Sequence, residues 1–95
     1  MNVPKFFARR MSWAVLLGRI AEQSGLSPED LLSGSKERSV VRVRSVLSYL
    51  AVRKMGMRAT QVAEWLKVSQ PAVSKSLLKG QRLVKETPAF MEVFQ

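Results

Sequence analysis

The stretch that decides the fold runs from Thr60 to Leu77 and reads TQVAEWLKVSQPAVSKSL. Apolar side chains recur at helical spacing on either side of a short turn, Lys67-Val68-Ser69. Ala63 is small, as is needed where two helices cross closely. Ser69 predicts an N-cap for the second helix, and Pro71 follows in its first turn, where a missing N–H costs little. This pattern predicts a helix-turn-helix, a pair of helices that places one of them in the DNA major groove.

The outward-facing residues of the second helix are short or polar, as the reading of DNA requires. They are Ser69, Gln70, Ala72, Ser74 and Lys75. Gln70 has the amide chemistry that pairs with adenine, and Ala72 suits contact with a thymine methyl group. The alternative is an ordinary pair of packed helices whose polar face is solvated.

Composition narrows the classes of function that are open to the chain. Its 95 residues, 46% of them hydrophobic, predict one globular domain. The sequence has no cysteine and no histidine, so disulfides, thiolate metal sites and the commonest general base are excluded. The acidic residues are scattered and have no nucleophilic partner in a motif. We therefore expect neither an enzyme nor a cofactor or metal site.

The positive charge is clustered along the chain. The net charge is +9. Residues 35–58 carry +6 and residues 67–85 carry +5, while the remaining residues together carry −2. The second block spans the expected recognition helix. Such clustering predicts a polyanionic partner, namely double-stranded DNA. A solvated basic surface without a specific partner is the alternative.

The N-terminal region does not resemble an export signal. The apolar run 13–18 is short, and Arg19 and Glu22 interrupt its continuation. No run approaches the ~20 apolar residues that a membrane-spanning helix needs. We expect no membrane partner and a cytoplasmic location.

The periodicity of the remaining residues predicts further helices and no strand. The fold class is therefore all-α, a compact bundle of about five helices that contains the helix-turn-helix. The expected helices are 11–23, a short one opened by Ser27, 39–55, 60–66 and 70–79, with Gly25, Gly56 and Gly80 as terminators. We expect a flexible arm at residues 1–10, the domain at 11–83 and a tail at 84–95, whose residues 89–94 form one helical turn or remain mobile. Trp13 and Trp65 are expected in or near the core.

The order of these parts resembles the C-terminal DNA-binding domain of the bacterial replication initiator DnaA. The resemblance covers roughly residues 12–83. It includes Ser27-Pro28-Glu29-Asp30 with the leucine pair that follows, a basic loop, and a long helix beginning Arg38-Ser-Val-Val-Arg-Val-Arg44. Val43 stands where the family has proline. The Asp-His-Thr-Thr-Val signature of the family aligns with residues 69–73, where only the valine is retained. In the family the histidine and threonines of this signature read bases in the replication origin. Because they are replaced here, we expect that the chain does not bind the origin sequence that the initiator recognises.

The chain also resembles the DnaA-like domain at the C-terminal end of REP-associated tyrosine transposases, whose last helix is similar to Ser-Pro-Ala-Val-Ser. This resemblance implies a transposase-related or regulatory protein. Those transposases carry a His-x-His metal pair and a catalytic tyrosine in a separate domain. Because the chain has no histidine, catalysis would belong to a separate domain of a longer native protein.

The resemblance to the initiator also implies roles for the basic residues. In that family the recognition helix enters the major groove, and the basic loop reaches an adjacent minor groove and the backbone. By position, Arg38 becomes the minor-groove arginine, a role that suits its weakly hydrated guanidinium. The candidate phosphate contacts are Lys36, Arg42, Arg44, Lys79 and Arg82. For the first three of these, a solvated position on the surface stays open as the alternative.

Two other functions remain open at this point. An RNA- or single-strand-binding module is compatible with the charge, although exposed aromatic platforms are missing. A protein-interaction domain without a specific DNA target would use the first helix and the phenylalanines near the chain ends. A homodimer also stays open, although the sequence has no heptad seam.

Overall fold

The computed structural model describes residues 11–94 and contains, in this part of the chain, five α-helices, one π-helical turn and one 3₁₀ segment. The α-helices are α1 (Trp13–Ser24), α2 (Pro28–Leu32), α3 (Arg38–Tyr49), α4 (Ala59–Leu66) and α5 (Gln70–Glu86). A π-helical turn, Leu50–Lys54, continues α3, and a 3₁₀ segment, Pro88–Phe94, follows α5. No strand forms between residues 11 and 94, so the expected all-α bundle is confirmed for this part. The arm expected at residues 1–10 lies outside the described residues.

The helix ends follow the capping residues of the sequence. The backbone N–H of Asp30 donates to the Oγ of Ser27 (3.1 Å), and the N–H of Ser27 donates to the carboxylate of Asp30 (3.1 Å). This reciprocal pair satisfies two amides that would otherwise lack partners at the start of α2. Gly25 ends α1 in the left-handed conformation, with φ 76°, as its position predicts.

The end of the long central helix differs from the regular α-helix that the sequence predicts. After Tyr49 the backbone widens, and the N–H of Met55 donates to the carbonyl of Leu50, five residues earlier (3.0 Å). The side chains of Leu50 and Ala51 are fully buried in this turn. Helical periodicity does not predict this change, because apolar residues at this spacing fit an α-helical or a π-helical turn.

The core lies between α1, α3, α4 and α5 and is closed by the last residues. It contains the aliphatic side chains expected from the helical pattern, among them Leu16, Ile20, Val46, Leu47, Val62, Leu66 and Val73. Trp13 and Trp65 are half-buried and stack on each other, with ring centroids 4.7 Å apart and an interplanar angle of 23°. This stack joins α1 to α4, which confirms that both tryptophans lie at the edge of the core.

The expected end of the last long helix at Gly80 is wrong. Helix α5 continues through Gly80 to Glu86, and Gly80 is buried against α3. A Cβ atom at this position would overlap the carbonyl oxygen of Ser45 and would lie 2.6 Å from the Cβ of Tyr49. The glycine therefore serves the close approach of two helices and does not terminate one of them.

The segment Pro88–Phe94 packs against α1. Within the segment expected as a tail, residues 84–86 belong to α5 and Val93 and Phe94 are buried in the core. A guanidinium N–H of Arg19 donates to the carbonyl of Val93 (2.7 Å), and the side-chain amide of Gln23 donates to the carbonyl of Ala89. These bonds give backbone carbonyls at the C-terminal end partners from α1. No described helix is both long and apolar enough to cross a bilayer.

Candidate nucleic-acid interface

The turn between α4 and α5 fixes the direction in which α5 leaves the bundle. Lys67 ends α4 in the left-handed conformation, with φ 59°, and the N–H of Val68 donates to the carbonyl of Ala63 (3.0 Å). Ser69 then caps α5, because its Oγ accepts from the N–H of Ala72 (3.3 Å). The expected capping role of Ser69 is thus confirmed.

The N-terminal half of α5 presents its polar side chains to solvent. Gln70, Ser74 and Lys75 are exposed, and Ala72 is half-buried. Ser69 is also exposed, so the capping hydroxyl remains accessible to a second partner. Val73 and Leu77 point the other way and lie in the core. Helix α5 therefore offers one polar, accessible face along its first turns, and none of the expected base-reading residues is sealed inside the fold.

Helix α5 carries an exposed leucine that was not expected from the sequence. The side chain of Leu78 is 74% exposed, while its neighbour Leu77 is 9% exposed. Leu78 follows Ser74 by four residues and Lys75 by three, so it lies on the same face of the helix. Further along α5, Lys79 is half-buried and Arg82 is exposed. The only sequence signal for Leu78 is that one member of a leucine pair on an amphipathic helix must face outward.

The basic loop between α2 and α3 is held by hydrogen bonds from its own serines. The N–H of Ser35 donates to the Oγ of Ser33 (3.2 Å), and the N–H of Glu37 donates to the Oγ of Ser35 (3.1 Å). Lys36 in this loop is exposed, and so is Arg38 at the first position of α3. Arg42 follows one turn later and is also exposed. These three cations are available to a partner.

Arg44 differs from the other basic residues near the loop. It is half-buried; its Nε donates to the carbonyl of Leu31 (3.1 Å) and its Nη2 donates to the carbonyl of Ser35 (2.9 Å). Burial lowers the pKa of the Arg44 guanidinium from its ordinary value, because the charged form loses solvation. The structure therefore directs this side chain toward the protein backbone.

The basic loop and the start of α5 lie toward opposite ends of one pair of helices. Gly80 of α5 lies against Ser45 of α3, whereas Arg42, nearer the start of α3, lines a cleft with Leu83 and Thr87. Helices α3 and α5 are therefore antiparallel. At 1.5 Å per residue, the level of Leu83 lies about 20 Å along α5 from Gln70. The structure brings Arg42 close to the C-terminal half of α5, and it keeps the basic loop apart from Gln70.

These residues define an all-α domain in which the second helix of a helix-turn-helix is capped and exposed, and the exposed cations of the basic loop lie apart from the start of that helix. The chain is 35% identical over 68 residues to the chromosomal replication initiator protein DnaA of Pseudothermotoga lettingae. The alignment covers 72% of this chain and 15% of that protein. The chain is DnaA-like over that length, as its residues led us to expect. No family model matches the chain, and no solved structure matches it.

Proposed function

We propose that the chain is a sequence-specific, double-stranded DNA-binding domain. One observation carries this proposal: the first turns of α5 are capped by Ser69 and expose Gln70, Ser74 and Lys75 in a domain similar to part of DnaA. Exposed amide, hydroxyl and ammonium groups on the surface of a helix are the groups that contact base edges and phosphates.

The distance between the start of α5 and the level of Arg42 supports contacts in neighbouring grooves. B-DNA repeats every 34 Å or so, and its major and minor grooves alternate within that length, roughly 17 Å apart. The separation of about 20 Å along α5 is similar to this offset. With the start of α5 in the major groove, Arg38 reaches the next minor groove, where the negative potential favours arginine.

Each exposed residue has a role in this mode of binding. Gln70 pairs with adenine, and Ala72 contacts a thymine methyl group. Ser74 and Lys75 contact bases or phosphates, and Ser69 adds a phosphate contact at the helix N-terminus. Backbone phosphates are bound by Lys36, Arg42, Lys79 and Arg82. Arg44 was expected to join that group, and its bonds to backbone carbonyls instead favour a different role.

The decisive experiment is selection of bound duplexes from a random pool, followed by titration of the enriched site at several salt concentrations. An enriched motif, with affinity falling by about three decades from 50 to 200 mM salt, would match the neutralisation of about six phosphates. Tight binding without any enriched motif would instead indicate a generic nucleic-acid clamp.

Competition with single-stranded DNA and RNA separates this function from single-strand recognition. The two tryptophans of the chain stack on each other and are half-buried, so one face of each ring is already covered and less of the ring is open to a base. We therefore expect duplex DNA to outcompete single strands of the same sequence. Stronger competition by the single strand would overturn the proposed function.

The wider setting of the domain is part of the same proposal. We infer a transposase-related or regulatory protein of the bacterial cytoplasm and nucleoid, in which this domain supplies DNA binding and any catalysis belongs to a separate domain. Binding as a homodimer would place two copies on half-sites one helical turn apart. Sedimentation of the complex with the selected duplex distinguishes one bound copy from two.

A further inference from the structure

The three arginines of α3 lie at positions that divide them into two sets. Arg42 follows Arg38 by four residues and shares its face of the helix. Arg44 comes two residues after Arg42, about 200° further round the axis. Arg38 and Arg42 are exposed, and Arg44 is half-buried. One DNA surface laid against Arg38 and Arg42 would therefore meet the side of α3 that faces away from Arg44.

The Arg44 guanidinium connects two parts of the chain that precede α3. Its Nε donates to the carbonyl of Leu31 near the end of α2, and its Nη2 donates to the carbonyl of Ser35 in the loop. The final carbonyls of a helix have no partner inside it, so Arg44 satisfies one of them. The planar fork of arginine holds two carbonyls in a fixed relation, which a single ammonium group cannot do.

The loop has few other ties to the body of the protein. The bonds of Ser33 and Ser35 to amides join residues within the loop or at its borders. Gly34 has φ 75°, so the chain reverses here through a conformation with little steric resistance to movement. These serine bonds all lie within or beside the loop. The hydrogen bond from Arg44 to the carbonyl of Ser35 is what ties the loop to the side of α3, the helix that also carries Arg38 and Arg42.

We infer that Arg44 is a positioning residue, which holds the loop of residues 33–37 in the conformation that presents Lys36 and Arg38 to DNA and does not itself bind phosphate. This inference rests on the proposed function for the DNA part of the role. The hold on the loop is a property of the free protein and is tested separately.

The first test uses the unmodified protein without DNA. Nitrogen-15 spectra resolve the Nε–H groups of arginine, and their exchange with water reports hydrogen bonding. We expect the Nε–H of Arg44 to exchange at least about tenfold more slowly than that of the exposed Arg42. Equal exchange rates would overturn the inference, whatever the protein binds. This measurement needs no variant, so it remains valid if substitution at position 44 prevents folding.

The second test compares variants with the selected duplex. Arg44→Lys keeps the charge but loses the fork, and Arg44→Met loses both; Arg42→Met is the matched control on the exposed face. We expect Arg42→Met to reduce the slope of log affinity against log salt by about 0.9, as the loss of one phosphate contact does. For Arg44→Met we expect lower affinity at every salt concentration, because Lys36 and Arg38 are no longer held in place for DNA. We expect Arg44→Lys to lose about as much affinity, because it keeps a charge that can bind phosphate but lacks the fork. Full affinity in Arg44→Lys would assign Arg44 to phosphate and overturn the inference.

Amide exchange in residues 35–37 completes the comparison. We expect both Arg44 variants to raise this exchange by about tenfold or more and Arg42→Met to leave it unchanged. Unchanged exchange in folded Arg44→Lys would contradict the positioning role. If the unmodified protein shows no salt-dependent duplex binding, the proposed function fails, while the exchange measurements still decide whether Arg44 holds the loop.

Discussion

Gly80 of α5 and Ser45 of α3 meet so closely that the backbone carbonyl of Ser45 occupies the place of a side chain at position 80. We predict that Gly80→Ala lowers the free energy of unfolding by roughly 1–3 kcal/mol, the usual cost of overpacking. Alanine favours a helix over glycine by ~1 kcal/mol, but a carbonyl inside another helix cannot rotate away, so the clash dominates. Urea denaturation measures the change.

Gly18→Ala is the matched control for this prediction. Gly18 also lies inside a helix, and a Cβ atom there would meet nothing within 4 Å. We expect Gly18→Ala to raise stability by up to about 1 kcal/mol, because only the helical preference changes. Equal effects of the two substitutions would contradict the close approach of α3 and α5.

The adjacent pair Leu77 and Leu78 provides a second test of how α5 is oriented. Leu77 is 9% exposed and Leu78 is 74% exposed. We predict that Leu77→Ala costs about 2–5 kcal/mol of stability through the cavity it leaves. Leu78→Ala should change stability by no more than about 0.5 kcal/mol. A reversed order in chemical denaturation would mean that α5 is rotated about its axis.

Substitutions of Ser69 separate its role as a cap from its role at the interface. Ser69→Ala should lower stability by about 1 kcal/mol, because the N–H of Ala72 loses its partner. Ser69→Asn and Ser69→Asp keep a capping oxygen, so both should retain stability. We expect Ser69→Asp alone to weaken binding to all duplexes by about tenfold or more, ~1.4 kcal/mol, since its charge repels phosphate.

The Ser69 variants are measured by thermal denaturation and by titration of labelled duplex. Ser69→Asn is the control, because it has the same cap without the charge. Full binding by a stable Ser69→Asp variant would show that the start of α5 does not approach the DNA backbone.

Gln70 should contribute to sequence specificity, and Arg42 should contribute to affinity for any duplex. We predict that Gln70→Ala costs ~1–3 kcal/mol on the selected site and little on random duplexes, because a base-reading contact is lost. Arg42→Ala should weaken both kinds of duplex about equally, because a phosphate contact carries no sequence information. Competition titrations give the ratio of specific to random binding. An unchanged ratio in Gln70→Ala would remove Gln70 from base reading.

Much of the fold could be predicted because its signals are local. Ser27, Gly25 and Ser69 act on amides or carbonyls within one turn of themselves, so the residue type and its neighbours suffice to place helix ends. The buried stripes of α1, α3 and α4 follow in the same way from helical periodicity.

The features that the sequence did not predict depend on residues far apart in the chain. Gly80 has the residue type of a terminator, and only the presence of Ser45 on another helix reveals its packing role. The charge of Arg44 predicts a phosphate contact, but the direction of its side chain is determined by two carbonyls, that of Leu31 in α2 and that of Ser35 in the following loop. The antiparallel relation of α3 and α5, which separates the basic loop from Gln70, is likewise a property of the folded bundle.

The stack of Trp13 on Trp65 gives the protein an internal optical label. These are the two tryptophans of the chain, and their rings are 4.7 Å apart. At that distance the excited states of two indoles couple, so near-ultraviolet circular dichroism and fluorescence report directly on the junction between the first helix and the helix-turn-helix. Any change in the angle between α1 and α4 is therefore visible spectroscopically without an added dye.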